Sequence, residues 1–167
     1  MSAPTPSSDR PFMPGYGIAA ADAGRGLLPW SWAEERLTAA HDYWVATTRH
    51  PEMRPHVMPV WGVYLDSAVW WSTSRRSRKF RNLERDPRCT LTTDDAYRPV
   101  VVEGVAEVHQ DTPTIQRFLD ALNAKYETDY GLDFQDPDVN ATIRVVTQTA
   151  FGLDEDDFTG TPTRWRF

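Results

Sequence analysis

Hydrophobic and polar positions change period several times along this chain, and each change marks an element. Tyr43-Trp44-Val45-Ala46-Thr47-Thr48 is aromatic and β-branched, and after a turn over His50-Pro51-Glu52 the segment Pro55 to Leu65 has the same character, so the two read as a hairpin. Asp66-Ser67 gives a second turn and Ala68 to Thr73 a third strand. Connections this short serve only antiparallel neighbours. Arg88 to Thr93, Pro99 to His109 and Thr142 to Leu153 continue the strand pattern, and Thr163 to Phe167 alternates polar and aromatic residues. Gly104 interrupts the Val-rich run Val100 to Val108 and predicts a bulge or a close backbone approach.

Helical spacing occurs in three places. Ser31 and Glu34 match a capping box ahead of Leu37 and Ala40, predicting a helix from about Trp32 to Asp42. Phe80 and Leu83 face inward on a helix from Arg76 to Asp86, which Pro87 ends. Ile115, Phe118, Leu119, Leu122 and Tyr126 form the apolar stripe of a helix from Thr112 to about Thr128. Before residue 31 the chain is rich in Pro, Ser, Gly and Ala, and residues 1–30 read as a flexible arm ahead of one domain over 31–167. The fold class predicted is mainly β: a β-barrel with peripheral helices.

A single domain of 167 residues is large enough for a real core. The net charge of −6 sets the average surface against nucleic acid and anionic membranes, so no partner of either kind is expected. Cys89 is the only cysteine and reads as a small buried hydrophobe. A lone cysteine, no signal-peptide pattern and no apolar stretch of membrane length together predict a cytoplasmic protein.

Against this acidic background, Ser72-Thr73-Ser74-Arg75-Arg76-Ser77-Arg78-Lys79 concentrates hydroxyls and cations where a strand gives way to a helix. Free N–H groups at a helix start, directional hydroxyls, forked guanidinium groups and a compact ammonium are what a phosphate requires. A solvated basic helix face has the same composition. Only two lysines occur, Lys79 and Lys125, which favours the cradle without deciding it.

Arg54-Pro55-His56-Val57-Met58-Pro59-Val60-Trp61-Gly62-Val63, then Ser77-Arg78-Lys79-Phe80-Arg81-Asn82-Leu83 ending at Asp86-Pro87, then Val102-Glu103-Gly104-Val105-Ala106-Glu107-Val108, resemble the pyridoxamine 5'-phosphate oxidase-like split-barrel superfamily. The closing Pro162 to Phe167 resembles the branch that includes reductases dependent on the deazaflavin F420. The resemblance implies a six-stranded antiparallel split β-barrel of the FMN-binding type, a homodimer with cofactor sites shared between subunits, and F420 or alternatively FMN as cofactor. It implies that Ser72, Thr73, Ser77, Arg78 and Lys79 hold the cofactor phosphate and that Met58, Pro59, Val60 and Trp61 border its ring. The family usually places Gly in the first hairpin turn, where this chain has His50-Pro51-Glu52-Met53.

The function expected is an oxidoreductase passing a hydride between the bound ring and a small organic substrate, with a non-catalytic carrier of F420, FMN or haem as the alternative. No side-chain nucleophile is then needed, and no Gly-x-Ser-x-Gly, Walker loop or histidine cluster of metal spacing occurs. Glu103 reads as a structural partner to an arginine, Asp154 to Asp157 as a solvated turn without a site, and Trp165 as a ring with reach toward a partner's site.

Overall fold

The antiparallel meander closes on itself. A computed structural model describes residues 5–167, and the first four residues of the expected arm lie outside that range. The strands are β1 (Ser7–Asp9), β2 (Asp42–Arg49), β3 (Arg54–Leu65), β4 (Ala68–Ser74), β5 (Arg88–Thr93), β6 (Val100–His109), β7 (Asn140–Gly152) and β8 (Thr163–Arg166). The helices are α1 (Trp30–Ala39), α2 (Arg78–Arg85) and α3 (Thr112–Tyr126). Strands β7, β4, β3, β2, β5 and β6 pair in that order, and β6 returns to β7, which makes the expected six-stranded antiparallel barrel. The short strands β8 and β1 extend from the far end of β7.

Period-2 alternation decides which side chains fill the barrel. Tyr43, Val45, Val69, Trp71, Leu91, Val102, Ile143 and Val145 point inward and are buried. Their neighbours on the outer face of β3 and β4, Val63, Ala68 and Trp70, lie with Phe118 and Leu122 of α3 in a second core. Trp70 and Trp71, adjacent in sequence, thus serve two cores, each ring contributing several kcal/mol on the usual scale of about 25 cal/mol per Å² of apolar area. Gly104 is where the β6–β7 register shifts, and a Cβ there would lie 2.3 Å from the Val146 carbonyl oxygen.

The barrel is split along one seam. β3 pairs with β2 from Arg54 to Trp61, but with β4 only from Gly62 to Leu65. Beyond Trp71, β4 pairs with the start of β7, at Asn140 to Thr142. Among the described residues, the second edge of β3 from Arg54 to Trp61 is therefore without a strand partner. Pro55 and Pro59 suit it, because a proline has no N–H to give to a ladder.

Several local expectations are corrected. Ser31 does not cap α1: the helix starts two residues earlier than expected, at Trp30, with Pro29 as N-cap and no side-chain cap bond. α2 begins at Arg78 rather than Arg76, because Ser77 takes the N-cap and accepts from the Phe80 N–H. The hairpin register is continuous from Asp42↔Trp61 to Arg49↔Arg54, and its turn places Met53 at φ 53°, a left-handed conformation glycine adopts more easily. Asp154 is buried and ion-paired to Arg25 at 3.1 Å and Arg98 at 3.3 Å, so the acid run is a clamp rather than a solvated turn. Glu103 partners the Thr149 hydroxyl, not an arginine. Trp165 lies in its own core, with Nε1 donating to the Leu28 carbonyl at 3.2 Å, which withdraws it from any partner's site.

Residues 5–29, which composition reads as an arm, run along the barrel. β1 pairs with β8, and Asp9 receives a two-pronged bond from Arg164 at 2.9 and 2.8 Å and another from Arg166 at 2.8 Å. Arg10 adds bonds to the carbonyls of Pro162, Gly160 and Ala20.

Candidate functional site

The site is built where the seam opens. As β4 leaves β3 the chain turns through Arg75 and Arg76 into α2, and the turn is tied together by hydroxyls. The Thr73 hydroxyl donates to Ser77 Oγ at 3.1 Å, and the same oxygen accepts from the Phe80 N–H at 3.2 Å. Asn82 of α2 donates to Thr47 Oγ1 at 2.9 Å, fixing the helix against the β2–β3 hairpin. The helix start is thereby held at a set place beside the free edge of β3.

Of the residues predicted to hold phosphate, Thr73, Ser77, Arg78 and Lys79 gather at this helix start. Ser72 is on the opposite face of β4 from Thr73 and stands apart from the hydroxyl pair. The predicted ring-bordering residues share an edge rather than a face. Val60 turns into the core at 7% exposure, Met58 lies on the same side where the barrel opens, and Pro59 and Trp61 point outward. Trp61 is held by a parallel stack on Tyr126, with centroids 4.3 Å apart at 4°.

The electrostatics of this end are unbalanced. Lys79 is half-buried, and loss of water pulls its ammonium below the usual lysine range. Among the described residues no carboxylate pairs with Lys79, Arg54, Arg76, Arg78, Arg81 or Arg85, although Arg25, Arg88, Arg98, Arg117, Arg144, Arg164 and Arg166 all have one. Arg75 leaves the cluster: its Nε donates to the Pro137 carbonyl at 2.6 Å and its guanidinium lies over Phe80. A half-buried ammonium without a counter-charge is costly, and an anionic ligand would remove that cost.

Sequence reasoning missed two groups. Arg49, Arg54, Pro55, His56 and Val57 line an open cavity of about 400 Å³ with Arg78. The signal for it was the pair of arginines, Arg49 and Arg54, that flank the turn of the first hairpin. At the far end of β3, Lys125 donates to the Gly62 carbonyl at 2.7 Å, and burial pulls its ammonium down to about 8. Tyr126 donates to the His41 carbonyl and accepts from the Gly62 N–H at 3.0 Å, adding one rung where β2 begins. Cys89 is buried as expected, its thiol pushed up to about 12 by the loss of water, which makes it inert.

A family model described as pyridoxamine 5'-phosphate oxidase matches residues 33–152, and the chain belongs to that family. Solved structures share the fold. A conserved hypothetical protein, Rv2991 of Mycobacterium tuberculosis, is 22% identical with a TM-score of 0.65, covering 85% of this chain and 89% of its own. An F420 reductase is 23% identical with a TM-score of 0.56, covering 70% of this chain and 94% of its own. A heme binding protein of Mycobacterium smegmatis is 22% identical with a TM-score of 0.55, covering 80% of this chain and 62% of its own. No curated protein sequence matches at a significant level. No helix among the described residues is long and apolar enough to cross a membrane, and no group of three or more His, Cys, Asp or Glu there is placed to hold a metal ion.

Proposed function

We propose that the groove between the free edge of β3 and the start of α2 binds a phosphate-bearing flavin or deazaflavin, F420 or FMN, and that the protein is an oxidoreductase acting through it. The observation that carries this reading is the half-buried, unpaired Lys79 beside the Thr73–Ser77 hydroxyl pair. Thr73, Ser77, Arg78 and Lys79 would hold the phosphate; Ser72, on the other face of β4, would not take part directly. Unpaired main-chain groups of β3 beside Met58, Pro59, Val60 and Trp61 would meet the ring edge. When bound, the ring supplies two-electron chemistry; the protein anchors, orients and shields it. Membership of the pyridoxamine 5'-phosphate oxidase family and likeness to a structure titled F420 reductase support this assignment.

The proposed working form is a homodimer. Trp44, Val57 and Trp61 stand exposed on one outer face of β2 and β3, with Pro59 between them, an apolar patch of the kind that a second copy covers. Sedimentation at micromolar concentration should give a dimer.

A carrier role is the second reading, supported by likeness to a heme binding protein. Titrating F420, FMN and haem separately against intrinsic Trp fluorescence tests binding. Turnover of the reduced cofactor with quinones, enones and nitroaromatics then separates enzyme from carrier. Failure of both F420 and FMN to bind would sink the proposal.

A further inference from the structure

We infer that Lys125 is a reactive amine that captures neutral aldehydes as an imine, in an aromatic and acidic recess where the end of α3 meets β2 and β3. The recess lies at the far end of β3 from the start of α2, and its chemistry does not depend on what the cofactor groove holds.

Three features of the recess suit this reaction. The first is how the amine is held. Lys125 Nζ donates to the Gly62 carbonyl at 2.7 Å and stands 4.9 Å from the ring centre of Tyr43 and 5.1 Å from that of Tyr126. Tyr43 is fully buried and Tyr126 is locked by its bonds to Gly62 and His41, so these rings form a fixed wall. The second is charge without pairing. Asp42 and Asp94 act on the ammonium, yet neither comes within ion-pair distance, and loss of water outweighs them and pulls it down to about 8. Near neutral pH the uncharged, nucleophilic form is then about two orders of magnitude more abundant than in an ordinary lysine. The third is room. A cavity of about 340 Å³ is lined by Arg36, His41, Thr93, Asp94 and Asp95. Of its wall, His41 meets the Tyr126 ring edge-on at 5.2 Å and Asp94 acts on the Lys125 charge, so cavity and amine are neighbours.

In the reaction the amine nitrogen bonds to the aldehyde carbon, a proton moves to the carbonyl oxygen, and that oxygen leaves as water as the C=N bond forms. No oxidant or reductant is consumed. Asp94 and His41 are the proton carriers on the cavity wall. The protonated imine keeps one N–H, enough for the Gly62 carbonyl, and needs less hydration than an ammonium, while the ring faces and the two carboxylates favour its positive charge. Asp42, Asp94 and Asp95 outnumber Arg36 here, which selects against anionic aldehydes.

The chain contains only one other lysine, Lys79, which serves as the internal comparison. Wild-type protein is incubated with benzaldehyde and cyanoborohydride, which turns each imine into a stable secondary amine, and the adducts are located by peptide mass mapping. At about pH 7.5, Lys125 is expected to be labelled at least about tenfold faster than Lys79 and than a lysine in a short unstructured peptide. Labelling of Lys125 should rise with pH and level off above about 8, whereas the free peptide keeps rising toward the ordinary lysine value. With 4-carboxybenzaldehyde the preference should shrink or reverse, since Lys79 stands among unpaired arginines. Lys125→Arg should remove the adduct while keeping a cation over the rings. Equal labelling of the two lysines by benzaldehyde, a Lys125 pH profile that follows the free peptide, or a preference indifferent to the charge of the aldehyde each overturns the inference. The wild-type comparison decides even if the variant folds poorly.

Discussion

The two ends of the barrel use the same side chain in opposite ways. Where β1, β8 and the 154–157 turn meet, Arg25, Arg98, Arg164 and Arg166 are each bonded to aspartates, so charge is spent on joining distant parts of the chain. Around the start of α2, Arg54, Arg78, Arg81 and Lys79 meet no acid among the described residues, in a chain that carries more acids than bases. The first set holds the fold together. The second joins nothing, and its charge is left for whatever meets the molecule from outside.

Lys79→Ala offers the largest test of this contrast. Affinity for a phosphate-bearing cofactor should fall roughly ten- to a hundredfold, as expected for loss of a charged hydrogen bond, while the melting temperature holds or rises. A drop in stability without a loss of affinity would erase the distinction.

Asp9→Ala should do the reverse. It removes the bonds to Arg164 and Arg166 and should cost about 1 kcal/mol, since these side chains are partly exposed, lowering the melting temperature by about 2–4 °C with cofactor affinity unchanged.

Acidity separates the ends further. The hydrogen bond from Arg164 holds the Asp9 carboxyl below the usual carboxylate range. Its stabilisation is therefore present above the ordinary carboxylate value and is lost as pH falls through the lowered one. The Lys79 ammonium is held below the ordinary lysine range by burial, so anion affinity should persist to alkaline pH and decline once pH passes that lowered value. Melting curves of wild type against Asp9→Ala in acid, and cofactor titrations in base, read the two limbs separately.

The smallest effect is expected at Met53, in the turn between β2 and β3. Met53→Gly should stabilise by at most about 1 kcal/mol by relieving the left-handed backbone, and chemical denaturation would detect it.

The barrel was legible because its signals are local. The β-branched runs of β2 and β6, the Phe80 and Leu83 spacing and the stripe on α3 each stand within a few residues, and each formed the element expected. The gathering of hydroxyls and cations at the start of α2 was half legible, since Ser77, Arg78 and Lys79 are consecutive in sequence, but whether its cations lack partners depends on the whole fold. The clamp at the other end was not legible. Asp9 and Arg164 are 155 positions apart, and nothing near either one announces the pair. Ser31 misled because Pro29, two residues earlier, was already in an extended conformation from which the helix could start. The Arg49–Arg54 apposition needed the hairpin register, which the turn residues left open.

The open side of β3 carries one more implication. A long strand with an unsatisfied backbone is an invitation to a stranger's strand, and monomers that expose one tend to polymerise. Pro55 and Pro59 break the succession of donors that such an intruder would need. Converting both prolines to valine would let neighbouring molecules add on edge to edge, and loss of solubility would follow before any loss of the barrel itself.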